Sequence, residues 1–226
     1  MRILLFGATG MVGQGVLREC LRAADVQLVQ TVGRTPTSRH HPRLREVVHR
    51  DLLDYQAIES ELRNFDACFF CLGVSSAGMK EAEYTRLTYD LTLAAAQTLA
   101  RLNPQMTFVY VSGAGTDSTE RGRSMWARVK GRTENALLRL PFKAVYLFRP
   151  GIIQPLHGIR PRTAWSRVLY SAMRPVLPLL RMLLPRLVLT TEIVGQAMLA
   201  VARHGAPKAV LEAPDLSLLA REAAQG

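Results

Sequence analysis

The chain opens with Arg2-Ile-Leu-Leu-Phe6 running straight into Gly7-Ala-Thr-Gly10-Met-Val-Gly13. The apolar run fits a buried strand. Behind the glycines, Val12, Val16, Leu17 and Leu21 fall at helical spacing. Glycines between a strand and a helix leave few geometries open. Gly7 permits a sharp turn, Gly10 keeps a Cβ from between backbone N–H groups and a ligand, and Gly13 lets helix and strand pack closely. The helix N-terminus places partial positive charge beneath any anion held by Gly7, Ala8, Thr9, Gly10, Met11, Val12 and Gly13. A pyrophosphate is the anion that such a loop is expected to cradle.

The rest of the chain supports that reading through its alternation. Strands are expected at 3–6, 26–32, 46–49, 67–72, 106–111 and 144–148, and helices at about 11–23, 55–62, 81–102 and 124–139. Nearly all-apolar strands separated by helices argue for a doubly wound α/β fold, a parallel sheet covered on both faces. In such sheets ligands bind beyond the carboxyl ends of the strands. The loops beginning at 7, 33, 72, 112 and 149 should therefore converge on one cleft. Residues 1–226 read as one domain, with 1–150 the dinucleotide-binding core and 151–226 a C-terminal portion shaping the substrate pocket. A helix from 191 to about 204 and a short strand at 209–212 are expected to close the fold.

The spacing Gly-x-x-Gly-x-x-Gly, written Gly7-Ala-Thr-Gly10 at its start, resembles the atypical and extended short-chain dehydrogenases/reductases. Within them the chain is similar to the epimerase/dehydratase-like group and to the small oxidoreductases related to the Tat-interacting tumour suppressor. The resemblance runs clearly to about residue 150 and implies a Rossmann-like fold, a nicotinamide dinucleotide and hydride transfer to or from a small carbonyl compound. It also assigns residues. Asp51, in His-Arg-Asp-Leu52, matches an aspartate that contacts the adenine amino group; an N-cap serves the same residue type equally well. Leu72 and Gly73 would let the cofactor ribose lie against backbone, and Pro150 of Arg149-Pro-Gly151 would face the nicotinamide amide. Ser112, ending strand five, would orient the substrate carbonyl.

Arg34 follows Gly33 at the end of the second strand. An acid there would bond the 2′-hydroxyl of NAD, whereas Gly33-Arg-Thr-Pro-Thr-Ser-Arg39 carries none. A guanidinium among hydroxyls favours the 2′-phosphate of NADP over NAD.

Trp126-Ala-Arg-Val-Lys130 is the most unusual segment. In active relatives this span resembles Tyr-x-x-x-Lys, in which the phenol exchanges a proton and the lysine binds the nicotinamide ribose. An indole N–H donates a hydrogen bond but is no acid near neutral pH. Lys130 nevertheless persists in a chain where only four of 29 basic residues are lysine (80, 130, 143 and 208). It reads as a ribose ligand, with a solvated helix lysine as the plain alternative. Two functions follow: an oxidoreductase with an altered proton donor, or a cofactor-binding redox sensor or interaction module without chemistry. Tyr84, Tyr89, Tyr170 and His157 are other titratable side chains, and nothing in the sequence brings them to the site.

The net charge of +11 fits an Arg-rich solvated surface. No aromatic-interleaved basic motif points to nucleic acid, and no metal is expected. Residues 151–190 hold no Asp or Glu, and Arg167, Arg174 and Arg181 recur every seven residues. Helices are expected at 163–173 and 176–184, as a substrate lid or as a peripheral contact with anionic membranes. No 18-residue apolar run or signal segment is seen, and three cysteines read as reduced thiols in the cytoplasm. Cys68-x-x-Cys71 lies in an apolar strand, which argues for core packing over redox chemistry. Helices 81–102 and 124–139 form dimer interfaces in many relatives by resemblance, so a homodimer is expected.

Overall fold

In the computed structural model, residues 1–159 and 188–223 are described. The expected helices at 163–173 and 176–184, Tyr170 and the arginine stripe at 167, 174 and 181 lie outside the described residues.

The main sheet has seven strands: β1 (Arg2–Phe6), β2 (Leu28–Gly33), β3 (Leu44–Val48), β4 (Ala67–Phe70), β5 (Thr107–Val111), β6 (Ala144–Arg149) and β9 (Val210–Glu212). Their order is β3-β2-β1-β4-β5-β6-β9, and every pairing is parallel. The chain thus runs outward from β1 to one edge, then returns to β4 on β1's other side. The cleft expected for ligands lies at the carboxyl ends of β1 and β4, where that order reverses.

Strand residues alternate between two cores, which is why the strands read as continuous apolar runs. Ile3 and Leu5 of β1 enter the core beneath helices α1 (Met11–Arg22), α5 (Thr191–His204) and α6 (Ala213–Glu222). Leu4 and Phe6 enter the opposite core, with Leu99 of α3 (Leu91–Leu102) and Leu137 of α4 (Met125–Leu137). Phe6, Phe70 and Phe108 stack across three adjacent strands there.

Helix α5 crosses α1 closely because small residues meet at the crossing. A Cβ on Gly15 would lie 2.5 Å from the Thr191 side chain, and one on Gly195 would lie 2.8 Å from Glu19. The helix carrying the glycine loop is held in this way from its outer side.

The elements differ from expectation in four places. The short helix near 55–62 is a 3₁₀ segment, Gln56–Leu62. The long helix expected at 81–102 comprises α2 (Glu81–Thr85), a π-helical segment (Arg86–Asp90) and α3. Arg132 of α4 stacks over Tyr89 of the π segment, 4.3 Å from the ring centre. Strands β7 (Ile152–Gln154) and β8 (Val188–Thr190) pair in a separate two-stranded parallel sheet, too short for periodicity to announce. Helix α6 follows β9 directly and is fixed by a capping box between Glu212 and Asp215.

Candidate cofactor and reaction site

The glycine loop joins β1 to α1 without slack. Gly7 has φ +77°, and a Cβ there would stand 2.7 Å from the backbone of Cys71. A Cβ on Gly13 would lie 2.1 Å from the Gly7 carbonyl oxygen, so only glycine lets the first turn of α1 sit on the loop. Gly10 is the looser of the three, 3.3 Å from that same oxygen. The Gly10 amide closes the turn onto Gly7 at 2.9 Å, and the Gln14 side chain ties down the Thr9 carbonyl at 3.1 Å. Gly10 is the N-cap of α1 and supplies no side-chain acceptor; no carboxylate occupies the first turn. Uncapped N–H groups above a turn that only glycine at 7 and 13 lets close suit a diphosphate.

A groove beside the loop is lined by Ala8, Thr9, Arg34, Thr37, Leu52 and Leu72, with no acidic side chain among its lining residues. Arg34 is exposed at its rim. Glu46 on β3 accepts the Thr37 amide at 2.6 Å, which fixes the loop after β2. Asp51 accepts the Leu53 amide at 2.9 Å in a local turn, not at a helix N-cap. Gly73 has open space around it, with nothing within 4 Å of an added Cβ. Ser75 caps the Ala77 amide, and Lys80 begins α2.

The end of β5 faces α4. Lys130 donates from Nζ to the main-chain carbonyl of Ser112 at 3.1 Å, and its ammonium lies 5.5 Å from the ring centre of Tyr110. Burial pulls the Lys130 ammonium down to about 8; Glu134, one turn along α4, opposes that shift. Ser112 Oγ lies 2.9 Å from Thr116 Oγ1, and Thr116 Oγ1 donates to the Gly113 carbonyl at 2.8 Å. Trp126 stands one turn before Lys130, its ring edge 3.5 Å from where Gly115 would carry a Cβ. Arg128 braces the loop before α4, donating to the Gly122 carbonyl at 2.9 Å and to Glu81 at 2.7 Å.

Glu134 is buried and holds Arg149 with both oxygens, at 3.1 and 2.5 Å. Arg149 reaches Ser118 and Glu212 as well, and the Glu134 hydrogen bond holds the guanidinium above its ordinary pKa. Sequence reasoning missed Glu134; its position four residues after Lys130 is the signal that marks it as sharing the lysine's helix face. Pro150 follows Arg149, and its carbonyl accepts the Ala114 amide at 2.9 Å, joining the loops after β5 and β6.

Tyr84, Tyr89 and Tyr110 do not replace a tyrosine at 126. Tyr84 and Tyr110 are buried, and desolvation raises both, Tyr110 beyond any useful range. Tyr89 lies beneath Arg132. His157 sits in the turn after β7 and pairs with Glu192 at 3.2 Å. Cys20 and Cys68 are fully buried and Cys71 partly so; all three are free, with burial raising each thiol. The Cys-x-x-Cys spacing is core packing.

A parallel sheet in this order, with a glycine cradle at its first turn, defines a Rossmann-like nicotinamide-dinucleotide protein of the short-chain dehydrogenase/reductase type. The model of the NAD(P)H-binding family matches residues 7–138, and the chain belongs to that family. The chain is similar to the mitochondrial protein FMP52 of Saccharomyces cerevisiae, 30% identical over 74% of this chain and 70% of that one. It is 25% identical to HTATIP2 of Rattus norvegicus over 67% of this chain and 62% of that one. The match covers about two thirds of the length of the first fungal relatives. In fold it resembles the Bordetella bronchiseptica enzyme WbmF in complex with NAD+, with TM-score 0.68 and 17% identity over 98% of this chain and 77% of that one.

One expectation is corrected. A cytoplasmic location, argued from reduced cysteines and the absence of a signal segment, is contradicted by fungal relatives that are named as mitochondrial proteins. Free thiols are compatible with more than one compartment, so the cysteine argument did not discriminate.

Proposed function

We propose that the chain is an NADP(H)-linked oxidoreductase acting on a small carbonyl compound. The observation that carries the cofactor assignment is Arg34 at the rim of a groove whose lining holds no carboxylate. A 2′-phosphate finds a guanidinium and the Thr37 hydroxyl there, while an NAD ribose finds no acid to accept its 2′-hydroxyl. Gly7, Ala8, Thr9, Gly10, Met11, Val12 and Gly13 hold the diphosphate against the uncapped N-terminus of α1. Leu52, Leu72 and Gly73 flank the adenosine half, and Lys130 stands at the ribose of the other half. Asp51 is the weakest of these assignments, since its carboxylate is engaged in its own turn. When bound, the dihydronicotinamide supplies a hydride. The protein's part is to orient the cofactor, and the β5–α4 junction of Ser112 and Lys130 meets the reacting carbonyl.

Trp126 supports a second reading, a cofactor-binding sensor that keeps the site and lacks turnover. Titration of the purified protein with NADPH and NADH, followed by quenching of tryptophan emission, tests both. Saturable quenching at NADPH concentrations well below those of NADH is expected. Absence of quenching and of any competing cofactor binding would refute the assignment. Turnover over a carbonyl panel then separates enzyme from sensor.

A further inference from the structure

We propose that Lys130 itself delivers the proton at this site, in the role the resemblance gives to a tyrosine at position 126. The inference rests on the oxidoreductase reading above and concerns which atom completes it.

Among the described residues, hydrogen accounting and burial around β5 set the other donors aside. The Thr116 hydroxyl has one proton, and it goes to the Gly113 carbonyl. Between Ser112 and Thr116 the proton therefore belongs to Ser112, which donates to Thr116 Oγ1. The Ser112 proton is thus engaged inside the loop, and offering it to a substrate oxygen would break the contact with Thr116. Trp126 offers an indole N–H that is not acidic, and Tyr84 and Tyr110 are buried phenols raised by desolvation. Lys130 remains. Its ammonium uses one N–H on the Ser112 carbonyl and has two more to give.

The charges packed around Lys130 keep it ionised yet able to let its proton go. On its own helix Glu134 opposes the effect of burial, but that carboxylate is bound to Arg149 from β6. From β5 the lysine meets the Tyr110 ring, and Tyr84 of α2 couples electrostatically to Tyr110. Desolvation accordingly dominates and places Lys130 at about 8. The residue as a whole is half-buried.

The step balances. When bound, the dihydronicotinamide would supply hydride to the carbonyl carbon, and Nζ of Lys130 would give the carbonyl oxygen its proton. The products are an alcohol, the oxidised nicotinamide and a neutral amine, which regains its proton from water. The carbonyl is reduced and the dihydronicotinamide oxidised.

Four lysines make the test direct. The full chain labelled with ε-13C lysine gives one resonance each for Lys80, Lys130, Lys143 and Lys208, with Lys130→Arg assigning the one that vanishes. In the NADPH complex that resonance is expected to titrate near 8, well below the ordinary lysine value. Reduction of the activated diketone 9,10-phenanthrenequinone should fall above the same pH. Lys130→Arg keeps charge and donors but cannot release a proton, so reduction under NADPH saturation should drop about 100-fold, far more than any change in NADPH affinity read by quenching. Adding Trp126→Tyr to that variant should recover about tenfold of the loss. A Lys130 resonance titrating at the ordinary lysine value, reduction in Lys130→Arg near wild type, or no diketone reduction by NADPH-saturated protein overturns the proposal. Failure of the underlying reading shows separately, as absence of NADPH binding by the wild type.

Discussion

Gly131, directly after Lys130, lies so tightly under Asp117 that a Cβ on it would stand 1.8 Å from the Asp117 carbonyl oxygen. Helix α4 is thereby pressed onto the loop that follows β5, which is how Lys130 comes to reach the Ser112 carbonyl. A methyl group at 131 must push the two apart. Gly131→Ala is expected to cost about 2 kcal/mol, despite alanine's better helix propensity, because overpacking outweighs it. Thermal unfolding should show a loss of about 4–8 °C. Gly113→Ala, where nothing lies within 4 Å of the added carbon, is the control and should stay close to wild type.

The Glu134–Arg149 pair gives a second, larger effect. Both partners are mostly enclosed, with side-chain exposures of 1% and 11%. Glu134→Gln removes the buried charge and one of the two acceptor oxygens facing Arg149, leaving the guanidinium a single amide oxygen, Ser118 and the more exposed Glu212, so about 3 kcal/mol of stability should be lost. Urea denaturation checks this. A midpoint unchanged from wild type would mean that Glu212 takes over the pairing.

How much of this was legible beforehand follows from the range over which each signal acts. The glycine cradle was legible because turn, helix start and strand are contiguous, and Gly7 and Gly13 meet the backbone contacts their positions imply. The parallel sheet was legible because strands buried on both faces carry no polar alternation. Glu134 was not, since its meaning lies in Arg149, brought beside it only when β6 joins the sheet. The Ser112 hydroxyl shows the same limit. Position marks it as a carbonyl ligand, but Thr116 four residues later takes its proton, and only the folded loop reveals that. The strands β7 and β8 escaped because three residues carry too little period, and their pairing spans a long stretch of chain.

Arg34 makes the cofactor preference testable by charge reversal. If the guanidinium receives a 2′-phosphate, Arg34→Glu replaces a charge-assisted bond with repulsion. NADPH affinity should fall about 100-fold, with NADH affinity changing by no more than about threefold. Tryptophan quenching with each cofactor measures both numbers. Equal losses for the two would place Arg34 at the diphosphate or in folding instead.

Lys130 also leaves a mark on stability, with a definite sign. Its folded value, about 8, lies below the ordinary lysine value of 10.5. Between these pH values the unfolded chain binds more protons than the folded one, so folding stability rises with pH through that window. Below it both states are protonated and the full cost of enclosing the ammonium is present. Above it both are neutral and the cost is gone. Compared with Lys130→Met, which has no titrating group, the wild type should therefore gain about 2 kcal/mol on going from pH 7 to 10.5. The comparison cancels the titration of the other groups. The hydrogen bond to Ser112, lost in the variant, adds an offset of about 1 kcal/mol in the wild type's favour wherever the ammonium stands. The slope across the window therefore carries the test, whatever the difference at a single pH. Denaturant titrations of both proteins at half-unit pH steps measure it. Parallel curves would show that Lys130 keeps its ordinary proton affinity, and with it that the amine at the end of β5 is solvated.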